Sequence, residues 1–146
     1  MTFSLIRCAA DGSPVEPVAA LPAEIAANCT ATADLYRRVG FVEPWVGYVA
    51  VSAGSAIGGG AFVGPPRENR VEIAYYTLKV FEGRGFATQT AAGLVAIARR
   101  TSPGIVIAAF TLPEQNASTH ILRRLGFEHV GPARDPDAGD VWEWRA

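Results

Sequence analysis

The sequence predicts a mixed α/β fold, of the α+β kind, in which helices flank a central, mostly antiparallel sheet that contains one parallel βαβ unit. Alternating segments on either side of Ala53-Gly54-Ser55 indicate a β-hairpin. Between residues 71 and 110 a strand, a helix and a wholly apolar strand follow one another, which is the pattern of a parallel, right-handed crossover. Because hairpin connections outnumber this crossover, a doubly wound sheet is disfavoured.

Each element follows from hydrophobic periodicity and from residues that break it. Helix 22–39 has Pro22 in its first turn and Gly40 as its stop signal. Residues 105–110 are continuously apolar, as in a strand that is buried on both faces. The predicted strands are 3–8, 45–52, 56–63, 71–78, 105–110, 127–130 and 141–144, and the predicted helices are 22–39, 87–100 and 114–125.

Size and composition narrow the classes of function. We expect 146 residues to form one domain, 1–146. The net charge of −1, without a basic stripe or a long apolar run, predicts no nucleic-acid partner and no membrane partner. The N-terminal segment does not resemble a signal peptide, and Cys8 and Cys29 are the only cysteines, which favours a cytoplasmic protein. His120 and His129 lack ligand spacing with these cysteines, so no metal site is predicted.

A glycine-rich turn, Glu82-Gly83-Arg84-Gly85-Phe86-Ala87, joins strand 71–78 to helix 87–100. Glycines let the backbone approach a phosphate closely, and the N–H groups that open a helix point at it with the helix dipole behind them. A Walker-type loop would end in Gly-Lys-Ser/Thr, and a Rossmann fingerprint would need a third glycine where Thr88 stands. The turn therefore predicts a phosphorylated cofactor, held by neither of those motifs.

Two segments, in order and at the right separation, resemble the GNAT superfamily of N-acetyltransferases. Residues 82–87 match its diphosphate loop, Gln/Arg-x-x-Gly-x-Gly/Ala, except that Glu82 replaces Gln or Arg. Residues 112–127, with Asn116, Ser118 and a Leu-Gly-Phe ending, resemble the ribosomal-protein acetyltransferase-like branch. The resemblance covers roughly residues 45–146.

This resemblance implies that acetyl-CoA is the co-substrate. The amides of the loop would hold the diphosphate, and the main chain of Tyr76, Thr77 and Leu78 would bind pantetheine and the thioester. Asn116 would contact the pantetheine arm, or it is simply the N-cap of its helix. The expected cofactor-binding residues are Thr77, Leu78, Gly83, Arg84, Gly85, Phe86, Ala87, Thr88 and Asn116.

Three side chains are candidates for proton transfer. Glu72 lies mid-strand, where a carboxylate is unusual, and is the candidate general base for an amine whose pKa is roughly 10, unless it pairs with an arginine across the sheet. Ser118 is a candidate acid for the departing thiolate because Leu122 stands where much of the superfamily has tyrosine. Its alternative role is a hydroxyl bonded to the carbonyl four residues earlier. Tyr76, on the same strand face as Glu72, is a further candidate acid.

The family's activity is direct transfer of acetyl from acetyl-CoA to a primary amine, which would be a protein N-terminus, an amino acid or a drug-like amine. Glu82 in the loop and Leu122 in place of tyrosine support an alternative, a non-catalytic acyl-CoA-binding or sensor domain. A nucleotide-binding domain that uses the same loop is a weaker alternative. By family analogy we also expect a homodimer.

Overall fold

A single seven-stranded sheet, in the order β1-β2-β3-β4-β5-β7-β6, organises the chain. A computed structural model describes residues 2–146. The pairing of β4 with β5 is parallel and all other neighbours in the sheet are antiparallel, which confirms the predicted fold class. The strands are β1 (Phe3–Arg7), β2 (Gly47–Ser52), β3 (Ser55–Phe62), β4 (Arg70–Thr77), β5 (Val106–Thr111), β6 (Glu128–Asp135) and β7 (Gly139–Arg145), and the α-helices are α1 (Ala23–Val39), α2 (Phe86–Thr101) and α3 (Ala117–Arg124).

The C-terminal elements differ most from their predicted bounds. Helix α3 begins three residues later than predicted because Asn116 caps it: its side chain accepts a hydrogen bond from the N–H of Thr119 at 3.0 Å. Strands β6 and β7 continue into the segment predicted as a loop, where Asp135 accepts hydrogen bonds from the N–H groups of Asp137 and Ala138. A short 3₁₀ helix, Lys79–Phe81, precedes the glycine-rich turn and was not predicted.

The helices cover opposite faces of the sheet. Helix α2 packs Leu94 and Val95 against Val71 and Ile73 of β4. Helix α1 lies on the other face, where Ile25 joins a separate apolar cluster with Val49 and Leu78 among its members. Of the helices formed by residues 2–146, none is both long and apolar enough to cross a membrane.

Strands β4 and β5 separate soon after they meet. They pair only from Arg70 to Glu72 on β4 and from Val106 to Ala108 on β5. Beyond that point β4 remains hydrogen bonded to β3, and β5 is hydrogen bonded to β7. The sheet therefore opens into a V-shaped gap at its centre, and the glycine-rich turn that follows β4 lies at the mouth of this gap.

The loop after β1 lies directly on α1. Gly12 has a φ of 86°, and a Cβ at this position would be 2.0 Å from the carbonyl oxygen of Cys29. The loop cannot keep this approach with any other residue, so Gly12 fixes the distance between the end of β1 and the helix.

We predict that Gly12→Ala destabilises the protein by about 3 kcal/mol or more, since it adds a steric clash to the cost of a left-handed alanine. Gly54→Ala is the matched control, because Gly54 has a φ of 82° but no atom within 4 Å of its Cβ position. We expect the control to cost about 1 kcal/mol. Urea unfolding measures both variants, and equal losses of stability would show that the loop does not depend on this close approach.

Candidate active site

A cleft of about 520 Å³ lies at the mouth of the gap between β4 and β5. Three segments that are distant in sequence form it: the end of β4, the glycine-rich turn with the first turn of α2, and the start of α3. Its lining residues are Tyr75, Tyr76, Thr77, Phe81, Glu82, Gly83, Gly85, Phe86, Ala87, Thr88, Ala117, Ser118, His120 and Ile121. The structure thus brings most of the predicted cofactor-binding residues together with Ser118.

The turn presents unpaired backbone donors to this cleft. Gly83 and Gly85 have φ values of 79° and 82°, the left-handed conformation that glycine adopts without strain. Gly85 is the N-cap of α2, and no side chain caps the helix. Within residues 2–146, the six N–H groups from Gly83 to Thr88 donate to no other group, although α3 has its N-terminus capped by Asn116. Such a row of free donors at the positive end of a helix dipole is an anion site.

Aromatic side chains pack against the glycine-rich turn. The rings of Phe81 and Phe86 meet edge to face, with centroids 6.3 Å apart, and Phe86 also stacks on Phe3. The Arg84 guanidinium lies 5.7 Å from the centroid of Phe81. These contacts pack the aromatic rings against the turn and place the Arg84 guanidinium over one of them. Glu82, which lines the cleft, is the opposing negative charge.

The end of β4 exposes alternate backbone groups to the gap. The C=O of Glu72 accepts from Val63, and the N–H of Leu78 donates to Ile57, so the even-numbered residues of β4 point towards β3. Since alternate residues of a strand point to opposite neighbours, the main chains of Tyr75 and Thr77 face the gap, where β5 has already separated. The Thr77 hydroxyl is buried there without a partner among the described residues.

By the same alternation the main chain of Tyr76 also points towards β3, and the backbone of Leu78 does not face the gap. Its N–H donates to Ile57 and its C=O accepts from Phe81, both at 2.9 Å, so neither backbone group is free for a cofactor. Its side chain belongs to the cluster under α1 and does not line the cleft. Tyr75, which the sequence did not indicate, has the orientation expected of Leu78. The signal that was missed is the alternation along β4, in which the main chains of odd-numbered residues face the gap and those of even-numbered residues face β3.

Residues at the start of α3 divide between the cleft and the helix cap. The Ser118 hydroxyl lines the cleft and makes no hydrogen bond within residues 2–146, so the alternative of a bond to the carbonyl four residues earlier is not observed. His120, which the sequence did not indicate as a site residue, also lines the cleft. Asn116 does not line it and forms a reciprocal capping box with Thr119. The amide oxygen of Asn116 is therefore committed to the helix.

Glu72 lies at the base of the gap, outside the lining of the cleft. Burial raises the pKa of this carboxyl; the Arg70 guanidinium opposes the rise, and the carboxylates of Asp135 and Glu143 add to it. The expected alternative, an ion pair with an arginine, is not formed by Glu72 in the described part of the chain. Arg70 donates to Glu143 instead, at 3.1 Å, and Arg145 donates to the same carboxylate oxygen. Glu72 is thus a partly desolvated carboxyl that makes no ion pair among residues 2–146, and it stays a candidate for proton transfer.

Tyr76 and Glu72 share a strand face but do not meet. Four residues of strand separate them by about 13 Å. The Tyr76 ring lies over Gly59, where a Cβ would be 3.2 Å from the phenol oxygen. Burial, chiefly, raises the pKa of Tyr76, with smaller contributions from Cys29, Glu24 and Cys8, so the phenol stays protonated at neutral pH. Tyr76 can donate a proton, but its hydroxyl lies on the α1 side.

We predict that Glu72→Gln makes the protein more stable near neutral pH. A raised pKa means that the folded state holds its proton more tightly than the unfolded chain. The contribution of Glu72 to stability is therefore complete at low pH and is lost as pH rises from its usual pKa to its raised one. The variant should match the native protein at about pH 4 and exceed it at about pH 7.

Thermal unfolding across this pH range measures the difference. Glu114→Gln is the control, because Glu114 is an exposed residue outside the cleft. We expect the control to change stability by no more than about 0.5 kcal/mol at any pH. A Glu72→Gln variant that is less stable near pH 7 would show that the native carboxylate makes a favourable contact.

Comparisons with known proteins agree with this geometry. The model of the Acetyltransferase (GNAT) domain family matches residues 15–128. No curated protein sequence matches the chain. Among solved structures, an apo form of RimL, a ribosomal L7/L12 α-N-protein acetyltransferase, has a TM-score of 0.72 at 18% identity, over 99% of this chain and 92% of that one.

Two further structures have the same fold. The ribosomal-protein-alanine N-acetyltransferase of Brucella melitensis has a TM-score of 0.64 at 22% identity, over 82% of this chain and 76% of that one. YncA of Salmonella typhimurium, a putative acetyltransferase solved with acetyl-CoA, has a TM-score of 0.62 at 21% identity, over 82% and 72%. The chain spans 64% of the length of a GNAT-family acetyltransferase from Bacillus anthracis. Because the family model covers residues 15–128 of the 146, the chain belongs to the acetyltransferase (GNAT) domain family.

Proposed function

We propose that this protein transfers the acetyl group of acetyl-CoA to a primary amine. The observation that carries the proposal is the row of six free N–H groups from Gly83 to Thr88, which fits the diphosphate of coenzyme A. The gap between β4 and β5 begins after Glu72, and we assign the pantetheine arm to it, beside the main chain of Tyr75 and Thr77. YncA, which has the same fold, binds acetyl-CoA as its cofactor, and this supports the assignment.

The chemistry that these residues would perform is direct transfer. The neutral amine nitrogen attacks the thioester carbonyl, and a free N–H of the β4 main chain stabilises the oxyanion. The C–S bond then breaks, the amine loses a proton and the thiolate gains one. Glu72 lies at the base of the gap, about 13 Å along β4 from Tyr76. In this proposal it accepts the proton of the amine, either directly or through a water molecule. Ser118 lines the cleft, and we assign to it the protonation of the sulfur.

A non-catalytic acyl-CoA-binding domain is the second candidate, and one observation favours it. Leu122, which stands where much of the superfamily has its tyrosine acid, is fully buried at 0% exposure, so this position supplies no proton donor. Glu72→Gln separates the candidates. If the protein is an enzyme, the variant loses the rise in acetyl-transfer rate with pH that accompanies the ionisation of Glu72, but it still binds CoA. A binding domain has no turnover to lose.

We predict that Gly85→Asp abolishes tight CoA binding, because the new carboxylate would repel the diphosphate at the centre of the donor row. Gly104→Asp is the matched control: Gly104 has a φ of 86°, its Cβ position is also free of neighbours, and it lies outside the cleft. Calorimetry with CoA measures both variants, and thiol release from acetyl-CoA in the presence of amines measures turnover. We expect a loss of affinity of at least about tenfold for Gly85→Asp alone, which corresponds to about 1.4 kcal/mol. Equal affinities would place the diphosphate elsewhere.

We predict that Asn116 acts through its cap alone. Asn116→Asp keeps the oxygen that accepts from Thr119 but removes the amide donor, so stability and CoA affinity should both be retained. Asn116→Ala removes the cap and should cost about 1 kcal/mol in urea unfolding. Weaker CoA binding by Asn116→Asp, at unchanged stability, would instead show that the amide group donates to pantetheine.

A further inference from the structure

The only two cysteines of the sequence meet on the α1 side of the sheet. Cys8 directly follows β1 and is only 2% exposed. Cys29 lies in α1, one turn after Ile25 and one turn before Ala33, and because both of these residues are buried, Cys29 shares the face of the helix that covers the sheet. None of the proposed steps of cofactor binding or proton transfer uses either thiol.

The backbone keeps the two thiols together. A hydrogen bond joins the side chains of Cys8 and Cys29. The loop after β1 packs on the helix at the same place, where a Cβ on Gly12 would be 2.0 Å from the carbonyl oxygen of Cys29. A disulfide joins sulfur atoms at about 2 Å and tolerates little backbone movement. Two thiols in contact, on elements that are held against each other, meet this requirement.

A cavity of about 160 Å³ between α1 and the sheet gives small molecules access to both sulfur atoms. Cys8 and Cys29 line it, Ala61 and Ala74 of the sheet lie beneath it, and no charged side chain contributes to the lining. One water molecule occupies about 30 Å³ of the liquid, so a molecule the size of hydrogen peroxide fits. Cys8 can therefore react although it has almost no contact with bulk solvent.

The two thiols differ in how readily they ionise. Burial raises the pKa of Cys8 to about 12, with further contributions from Cys29 and Asp11. Burial also raises the pKa of Cys29, but the hydrogen bond with Cys8 opposes this rise. Because the thiolate is the reactive form of cysteine, the first attack falls to Cys29, and Cys8 stays protonated beside it.

We propose that Cys8 and Cys29 form a reversible redox site, in which hydrogen peroxide oxidises Cys29 and Cys8 converts the product into an intramolecular disulfide. The Cys29 thiolate attacks one peroxide oxygen: an S–O bond forms, the O–O bond breaks, and the departing hydroxide takes up the proton that the thiol released. The sulfur of Cys8 then attacks the sulfenic acid: an S–S bond forms, the S–O bond breaks, and the thiol proton leaves with hydroxide as water. The two thiols lose two electrons, which reduce one peroxide to two waters.

The disulfide would tie α1 to the end of β1. It closes a loop from residue 8 to residue 29, which lowers the entropy of the unfolded chain and so stabilises the fold. Neither cysteine lines the cofactor cleft, so this site is separate from the proposed acetyl transfer and does not depend on it.

Treatment of the purified full chain with hydrogen peroxide tests the site. Ellman's reagent counts the thiols under denaturing conditions, and the intact mass distinguishes a disulfide, which removes two hydrogens, from the addition of oxygen. A relocated pair, Cys29→Ala with Ala27→Cys, is the matched control, because it keeps two cysteines but places one at an exposed position of α1. Cys8→Ala removes the second thiol alone.

We expect the native protein to lose both thiols together, without added oxygen, and to regain them in dithiothreitol. Its intramolecular disulfide should form at least about tenfold faster than that of the relocated pair, because the native thiols already lie in contact. Cys8→Ala should stop at a sulfenic acid on Cys29, which dimedone traps. Oxidation should raise the urea midpoint of the native protein by about 1 M.

Other products would overturn the redox site. Disulfides between chains, oxygen addition to the native protein, or equal rates for the native and relocated pairs would show that Cys8 and Cys29 do not act together. A urea midpoint that falls on oxidation would show that the bond forms only by distorting β1 and α1. Acetyl transfer is measured separately by turnover, so each of these results would leave the proposed function standing.

Discussion

The separation of β4 from β5 after Glu72 and Ala108 is the constraint on which the rest of the structure depends. A parallel pair that ends this early leaves backbone groups of β4 without a strand partner in the middle of a sheet, where such groups are normally paired. The sheet tolerates this because each strand keeps its other neighbour: β4 remains bonded to β3, and β5 to β7. The fully buried Trp144 strengthens the second pair by donating its indole N–H to Thr111 at 3.0 Å. The gap is thus a stable feature that leaves donors free for a ligand.

Unpaired polar groups recur at each part of the site. The turn from Gly83 to Thr88 has free N–H groups, and Thr77 has a buried hydroxyl without a partner in the part of the chain that the structure describes. Glu72 is partly desolvated by burial, and Arg70, which is paired with Glu143, offsets the resulting rise in the pKa only in part. The buried hydroxyl of Thr77 and the partly desolvated carboxyl of Glu72 lower the stability of the ligand-free protein, and all of these groups are of use when an anion or an amine is bound. This is the trade-off between stability and activity that is expected of a binding site.

The two faces of the sheet differ in electrostatic character at the site. On the α2 side, the dipole and the glycine-rich turn present positive potential to an anionic cofactor. On the α1 side, an uncharged cavity lies over Ala61 and Ala74, next to the candidate base. Tyr75 and Tyr76 line both the cleft and the cavity, so strand β4 contributes to each of them.

Sequence alone determined the features that are encoded within a few residues. The crossover from β4 through α2 to β5 was predicted from the apolar run at its end, and the turn before α2 from Gly83 and Gly85, both of which have left-handed conformations in the structure. Local capping chemistry likewise allowed Asn116 to be considered as an N-cap, which it is. Tertiary structure decided which groups face the gap. The direction of Leu78 and of Tyr75 depends on the register with β3, and the presence of His120 in the cleft depends on how α3 packs. Propensity and spacing describe neighbours along the chain, whereas register and packing are set by contacts between distant segments, and for that reason the cavity beneath α1 has no signature in the sequence.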